Sequence, residues 1–116
     1  MAIRTTTIAI NTSLSAAFAT DGRPVTGISV PLSSGWDTAN LTFQVSVDGG
    51  ATYYDLWVNG IEHVVTIPTG RTAATFHPTE YPMAFAGATH VKVRSGTVGT
   101  PVVQTAARTL QYGLMD

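Results

Sequence analysis

Residues 41–58 read LTFQVSVDGGATYYDLWV and run on as NGIEHVVTI. Leu41, Phe43, Val45 and Val47 alternate with Thr42, Gln44 and Ser46. A period of two is the pattern of a strand with one dry face and one wet face. Asp48-Gly49-Gly50 interrupts the run, Tyr53–Val58 resumes it, Asn59-Gly60 interrupts again, and Ile61–Ile67 follows. Gly and Asn tolerate the positive φ of tight hairpins, so three consecutive antiparallel strands are expected here. In the 53–58 run, Tyr53, Asp55 and Trp57 share one face and Tyr54, Leu56 and Val58 the other. Parity alone leaves open which set points inward.

The rest of the chain repeats the theme. Arg4–Ile10 is Thr/Ile-rich and extended; Leu14, Ala16 and Phe18 alternate within Thr12–Thr20. Asp21–Pro24 is a turn, Val25–Pro31 a strand with Ile28 and Val30 inward, and Ser33–Asp37 a loop. Thr69-Gly70-Arg71 turns the chain into a strand at Thr72–Phe76. Pro78 and Pro82 break His77–Gly87, leaving room for one short helical turn. Ala88–Ser95 alternates Val91 and Val93 with His90, Lys92 and Arg94, and Gly96–Pro101 is a loop. Ala107–Leu114 places Leu110, Tyr112 and Leu114 opposite Thr109, Gln111 and Gly113. No run has a 3.6-residue period. About eight short strands at regular turn spacing predict an all-β, antiparallel β-sandwich of jelly-roll or Greek-key type. No linker, repeat or low-complexity tract divides residues 1–116, which are read as one domain.

Composition narrows function mainly by exclusion. At 116 residues the chain buries a real core, roughly two-thirds of its unfolded surface. Without cysteine it has neither disulfides nor thiolate metal sites. Its net charge is −1, and no basic block is present, so neither a nucleic-acid surface nor a membrane anchor is expected. No apolar run reaches the roughly 18 residues of a spanning helix, and Thr and Asn interrupt any signal-peptide core near the N-terminus. Charged residues are only 11% of the chain, against about 25% in an ordinary soluble domain. Such a surface is poorly protected against association. It fits a chain covered by neighbours in an assembly, or simply a Thr-rich β-protein.

No catalytic or cofactor constellation stands out, and the chain is read as a non-enzyme with no metal or cofactor. His63, His77 and His90 lie in separate segments with no HxH or HxxxH spacing, and a zinc site needs three or four converging ligands. Ser, His and Asp all occur, without a nucleophile elbow or oxyanion loop. Gly49-Gly50 precedes a strand where a phosphate loop precedes a helix. Lys92, Arg94 and Arg108 are expected near one another, either meeting a phosphate or a partner's carboxylate or, the reading preferred, lying on a solvated sheet face. Trp36-Asp37 in its Ser/Gly loop is a candidate sugar platform or interface anchor; alternatively Trp36 folds over one end of the sandwich. Residues Ala2, Ile3, Arg4, Thr5, Thr6 and Thr7 are either an arm that adds a strand to a neighbouring subunit or the first strand of their own sheet.

Three resemblances add to this reading. Ser46, Asp48, Gly50, Thr52 and Tyr53 fit S-x-D-x-G-x-T-aromatic, similar to the Asp-box hairpin of sialidase-like propellers, where the box is structural. That implies a carboxylate holding turn amides, a glycine at positive φ and an aromatic packed on the hairpin. The same stretch with Ala88–Arg94 resembles the strand pattern of discoidin-type, galactose-binding-like jelly rolls, with His90 in place of an aromatic and without the usual cysteines. Ile28–Pro31, Trp36, Leu41–Gln44, Asp48–Leu56, Phe85–Gly87, Arg94–Thr97 and Ala106–Leu110 together resemble small β-sandwich structural proteins of tailed bacteriophages. That resemblance implies a virion component made in a bacterial cytoplasm. It would be a head decoration or cement protein on the major capsid protein, or a fibre accessory, and a homo-oligomer, with a trimer foremost. A carbohydrate-binding module of a fibre, using Trp36, is the alternative.

Overall fold

A computed structural model describes residues 1–31, 35–68 and 74–116. Its strands are β1 (Ala2–Ile8), β2 (Phe18–Ala19), β3 (Val25–Pro31), β4 (Leu41–Ser46), β5 (Tyr54–Asp55), β6 (Trp57–Val58), β7 (Ile61–Glu62), β8 (Ala74–Pro78), β9 (His90–Ser95) and β10 (Arg108–Leu114). One sheet has the order β1-β10-β3-β8 and the other β2-β9-β4-β5, while β6 and β7 form a separate hairpin. All pairings are antiparallel. Four of them, β1 with β10, β2 with β9, β3 with β8 and β4 with β5, are the rungs of one long hairpin closed on itself. Rolling that hairpin brings β10 against β3 and β9 against β4. This is an eight-stranded jelly roll, as the alternation predicts, with β6–β7 inserted between β5 and β8.

The core lies between the sheets. Ile8, Ile28, Val30, Leu110 and Leu114 from the first face Leu41, Phe43, Val91 and Val93 from the second, all essentially inaccessible. Phe18 on β2 stacks on Tyr112 on β10 at 3.7 Å between centroids and joins the layers. A 3₁₀ turn at Pro82–Phe85 delivers Phe85 edge-on to Phe43 at 5.1 Å. Each such side chain contributes about 1.5–3 kcal/mol by leaving water.

Several expected strands are shorter than the alternation predicts. Thr12–Thr20 retains only β2 and two isolated bridges, Ile8 to Ser15 and Leu14 to Arg94. Ser15 sits where the chain passes between sheets, and its hydroxyl accepts the Val93 amide at 2.9 Å in place of a backbone carbonyl. Tyr53–Val58 breaks at Leu56: β5 pairs with β4, and β6 leaves to pair with β7. Leu56 turns into the core while Tyr54 and Trp57 are exposed, so neither parity set faces inward whole. Ile61–Ile67 contracts to β7 and a bridge from Val65 to Leu41. Val47, expected in the core face, is 64% exposed because β4 ends at Ser46. The Thr69-Gly70-Arg71 turn and Ser33-Ser34 lie outside the described residues. So does the start of the strand expected at Thr72, whose described part, β8, runs on to Pro78.

Residues 2–8 are β1, the edge strand of the chain's own sheet, in register with β10 from Ala2–Leu114 to Ile8–Arg108. Of the two readings of this segment, the intramolecular strand is the arrangement present. The Met1 ammonium also pairs with the Asp116 carboxylate, closing the ends on each other.

Candidate functional site

The outer faces of the two sheets differ in kind. On the β2-β9-β4-β5 sheet the outward residues carry charge, and those charges answer one another. Arg94, 6% exposed, donates to Asp55 Oδ1 at 2.7 Å and to Thr42 Oγ1 at 3.3 Å. It lies 3.7 Å from Glu62 Oε2, which accepts the Val98 amide. The β6–β7 hairpin thus bends over this face and buries the guanidinium. Lys92 sits over the Tyr53 ring at 4.2 Å.

At one end of that face the Asp48 hairpin has the local structure its motif predicts. Ser46 Oγ donates to Asp48 Oδ1 at 2.7 Å, and the Thr52 amide donates to the same oxygen at 2.9 Å. The Gly50 amide donates to Ser46 Oγ, and Gly50 takes φ +94°. The Ser46 hydroxyl and the Thr52 amide hold the Asp48 carboxyl down at about 2. The Ser46 hydroxyl, the Asp48 carboxylate and the Gly50 and Thr52 amides are all engaged within the turn, a structural role.

The Trp36-Asp37 loop is likewise occupied with its own support. Trp36 is half-buried against the core and donates Nε1–H to the Ala39 carbonyl at 3.3 Å. Asp37 Oδ2 accepts the Thr105 amide at 2.6 Å and Arg108 Nη2 at 3.3 Å. The Thr105 amide and hydroxyl, with the Arg108 guanidinium, lower its pKa below the ordinary carboxylate value. Arg108, 4% exposed, also donates to the Gly35 carbonyl and to Gln104 Oε1. The expected grouping of Lys92, Arg94 and Arg108 on one solvated face is therefore corrected. Arg108 is on the opposite sheet, and both arginines are buried with acidic partners.

Among the described residues, the outer face of the β1-β10-β3-β8 sheet has no such charges. Outward parity brings Ile3, Thr5 and Thr7 of β1 beside Gly113, Gln111 and Thr109 of β10, then Gly27 and Ser29 of β3, then Phe76 and Pro78 of β8. No Asp, Glu, Lys or Arg is among them. A bulge at Gly113/Leu114 turns Thr26 onto the same side. Phe76 lies flat across Gly27, where any side chain would strike its ring and the His77 carbonyl. Ile3 is 52% exposed and Phe76 46%. The described part of this sheet face is uncharged, with an apolar side chain at either edge and the Met1 sulfur over Gly113. Half of this face was legible in Thr109, Gln111 and Gly113. The other half needed the pairing of the first strand with the last.

A cavity of about 410 Å³ opens beside the β6–β7 hairpin, lined by Val58, Ile61, Glu62, His63, Glu80 and Tyr81 among others. His63 is 4% exposed, stacked near Phe43 and edge-on to Phe85, and its Nε2 has no hydrogen-bond partner. Burial lowers its pKa from 6.5, and the charge of Glu80 opposes that shift. In the sequence His63 stands out only as a possible metal ligand, and Glu80 and Tyr81 carry no signal. Among the described residues no three His, Asp or Glu side chains gather as a metal site, and no helix is long and apolar enough to cross a membrane.

No family model matches the chain, and no curated protein or solved structure matches it.

Proposed function

We propose that the protein is a virion structural subunit of decoration or cement type. In this reading it docks through the outer face of its β1-β10-β3-β8 sheet onto neighbouring subunits, the major capsid protein foremost. The observation that carries the reading is the segregation of charge. Both buried arginines and their acidic partners are turned inward or onto the other sheet, and the described residues of one sheet face are left uncharged. Covering a charged face costs the hydration of its ions; covering this one does not. The fold is one that capsid and lectin domains share, which supports the reading by analogy only.

Four strands of about seven residues, at roughly 4.8 Å between strands and 3.3 Å per residue, give a face of about 400 Å². A standard stable interface buries about 800 Å² per partner. A single such contact is therefore weak, and the reading calls for many copies held in a symmetric array, as trimers or as set by the shell, where linked contacts reinforce one another. The free edge of β1 at Ala2–Thr5 offers further main-chain bonds to a neighbour. Mass spectrometry of purified particles tests this. The chain is expected as a stoichiometric component, and its absence from particles would remove the reading.

A further inference from the structure

We propose that the free edge of β1 pairs antiparallel with β1 of a second copy about a two-fold axis at Ile3, joining two uncharged sheet faces into one. The pairing is a property of the free chain, so it stands or falls apart from the virion reading, whose docking face it enlarges.

The direction of the β1 backbone carries it. The Thr7 carbonyl accepts the Ala16 amide, so Thr7 turns its backbone polar groups away from β10. Alternation gives Ile3 and Thr5 the same direction, while Ala2, Arg4 and Thr6 face β10. One end of this edge is covered: Ile8 bridges Ser15, and the Thr6 hydroxyl donates to the Ala16 carbonyl. From Ile3 to Thr5 all three residues are exposed, and among the described residues no backbone partner lies on that side of them.

The other sheet edges are blunted in ways native sheets use. β2 and β5 have two residues each, and β8 ends on Pro78. β1 runs for seven residues in unbroken register, without Pro, Lys or a bulge. Its one charged side chain, Arg4, is already paired with Asp21 at 2.8 Å. Unpaired donors and acceptors along such an edge are a template for another strand.

A second copy answers that template, because a strand set against itself about a two-fold axis offers every donor an acceptor. With the axis at Ile3, Ile3 lies opposite its own copy and Arg4 opposite Ala2. The two Ile3 residues exchange N–H to carbonyl bonds across the axis, and each Thr5 amide reaches the Met1 carbonyl of the other chain. The half-exposed Ile3 side chains then meet on the outer face. An axis at Arg4 would oppose two guanidiniums, and one at Thr5 would need the Thr7 carbonyl that Ala16 already holds. Two faces of about 400 Å² become one of about 800 Å², the area a stable interface buries per partner.

The experiment is sedimentation equilibrium and NMR amide exchange of the intact chain between about 10 µM and 1 mM. The mass is expected to rise from 12.2 kDa toward twice that value and stop there, with a Kd of about 0.1 mM, because each chain has one such edge. Exchange at Ile3 and Thr5 is expected to slow about fourfold over that range, while Arg4 and Thr6, already facing β10, stay unchanged. Ile3→Lys sets two cations across the axis from an exposed position and is expected to remain a monomer at 1 mM. The exchange pattern of the wild-type chain decides on its own if that variant does not fold. A chain that is monomeric throughout, or a mass that climbs past the dimer, overturns the pairing. So does a dimer that leaves the Ile3 and Thr5 amides unprotected or that survives Ile3→Lys. Presence of the chain in purified particles is a separate result.

Discussion

Arg94 on β9 reaches across Thr42 on β4 and meets Asp55 on β5 at 2.7 Å, spanning three strands of one sheet with one side chain. Glu62 approaches the same guanidinium from the hairpin above, at 3.7 Å. Replacing Arg94 with Met removes the cation and leaves two carboxylates facing each other. Breaking a buried pair from one side costs about 3 kcal/mol, the low end of the usual range because Asp55 is partly exposed. Urea denaturation of Arg94→Met measures that loss, and adding Asp55→Leu with Glu62→Leu is expected to recover most of it.

His63 makes stability depend on pH. Its folded pKa lies below 6.5, as does that of His77, in both cases because burial disfavours the imidazolium. The unfolded chain therefore takes up protons first as pH falls below about 6.5, and stability declines from there until the folded pKa is passed. The thermal midpoint is expected to fall between pH 7 and pH 5. His63→Phe keeps the aromatic contacts with Phe43 and Phe85 and removes the orphaned nitrogen. It is expected to raise stability at pH 7 by about 1 kcal/mol and to flatten the pH dependence, leaving the part due to His77.

Asp48 acts in a lower window. Its folded pKa is about 2, against 3.8 for the free group. Its contribution is complete above 3.8 and disappears as pH falls toward 2. Asp48→Asn is expected to lower the thermal midpoint at neutral pH and to lose the difference from wild type at pH 2. Amide exchange at Gly50 and Thr52 reports the same event locally.

Gly96 lies at φ +93°, and a side chain there would strike the Thr100 carbonyl and the Val102 amide. Backbone strain and backbone contact add, so Gly96→Ala is expected to cost about 3 kcal/mol in urea denaturation.

The alternation of Leu41, Phe43 and Val45 and of Leu110, Tyr112 and Leu114 made the two layers legible, because burial on one face imposes period two. The jelly-roll order follows from closing a long hairpin, which turn residues such as Asn59-Gly60 announce only locally. What sequence could not give depends on contacts between distant segments. The partners of Arg94 lie on a hairpin that doubles back over the sheet. Arg108 finds Asp37 through a loop 71 residues away. Leu56 breaks the parity of its strand because the chain changes pairing partner there. The uncharged face needed the register of Thr5 against Gln111, and the cavity needed Glu80 brought beside His63.

The central claim is that an uncharged sheet face docks this chain into a particle. Thr7→Lys with Gln111→Lys places two cations on that face at exposed positions, where substitutions change stability by no more than about 0.5 kcal/mol. Quantitative mass spectrometry of purified particles should find the wild-type chain in stoichiometric amount and the equally stable double variant lost. Absence of the wild-type chain, or incorporation of the variant at the wild-type level, would contradict the account.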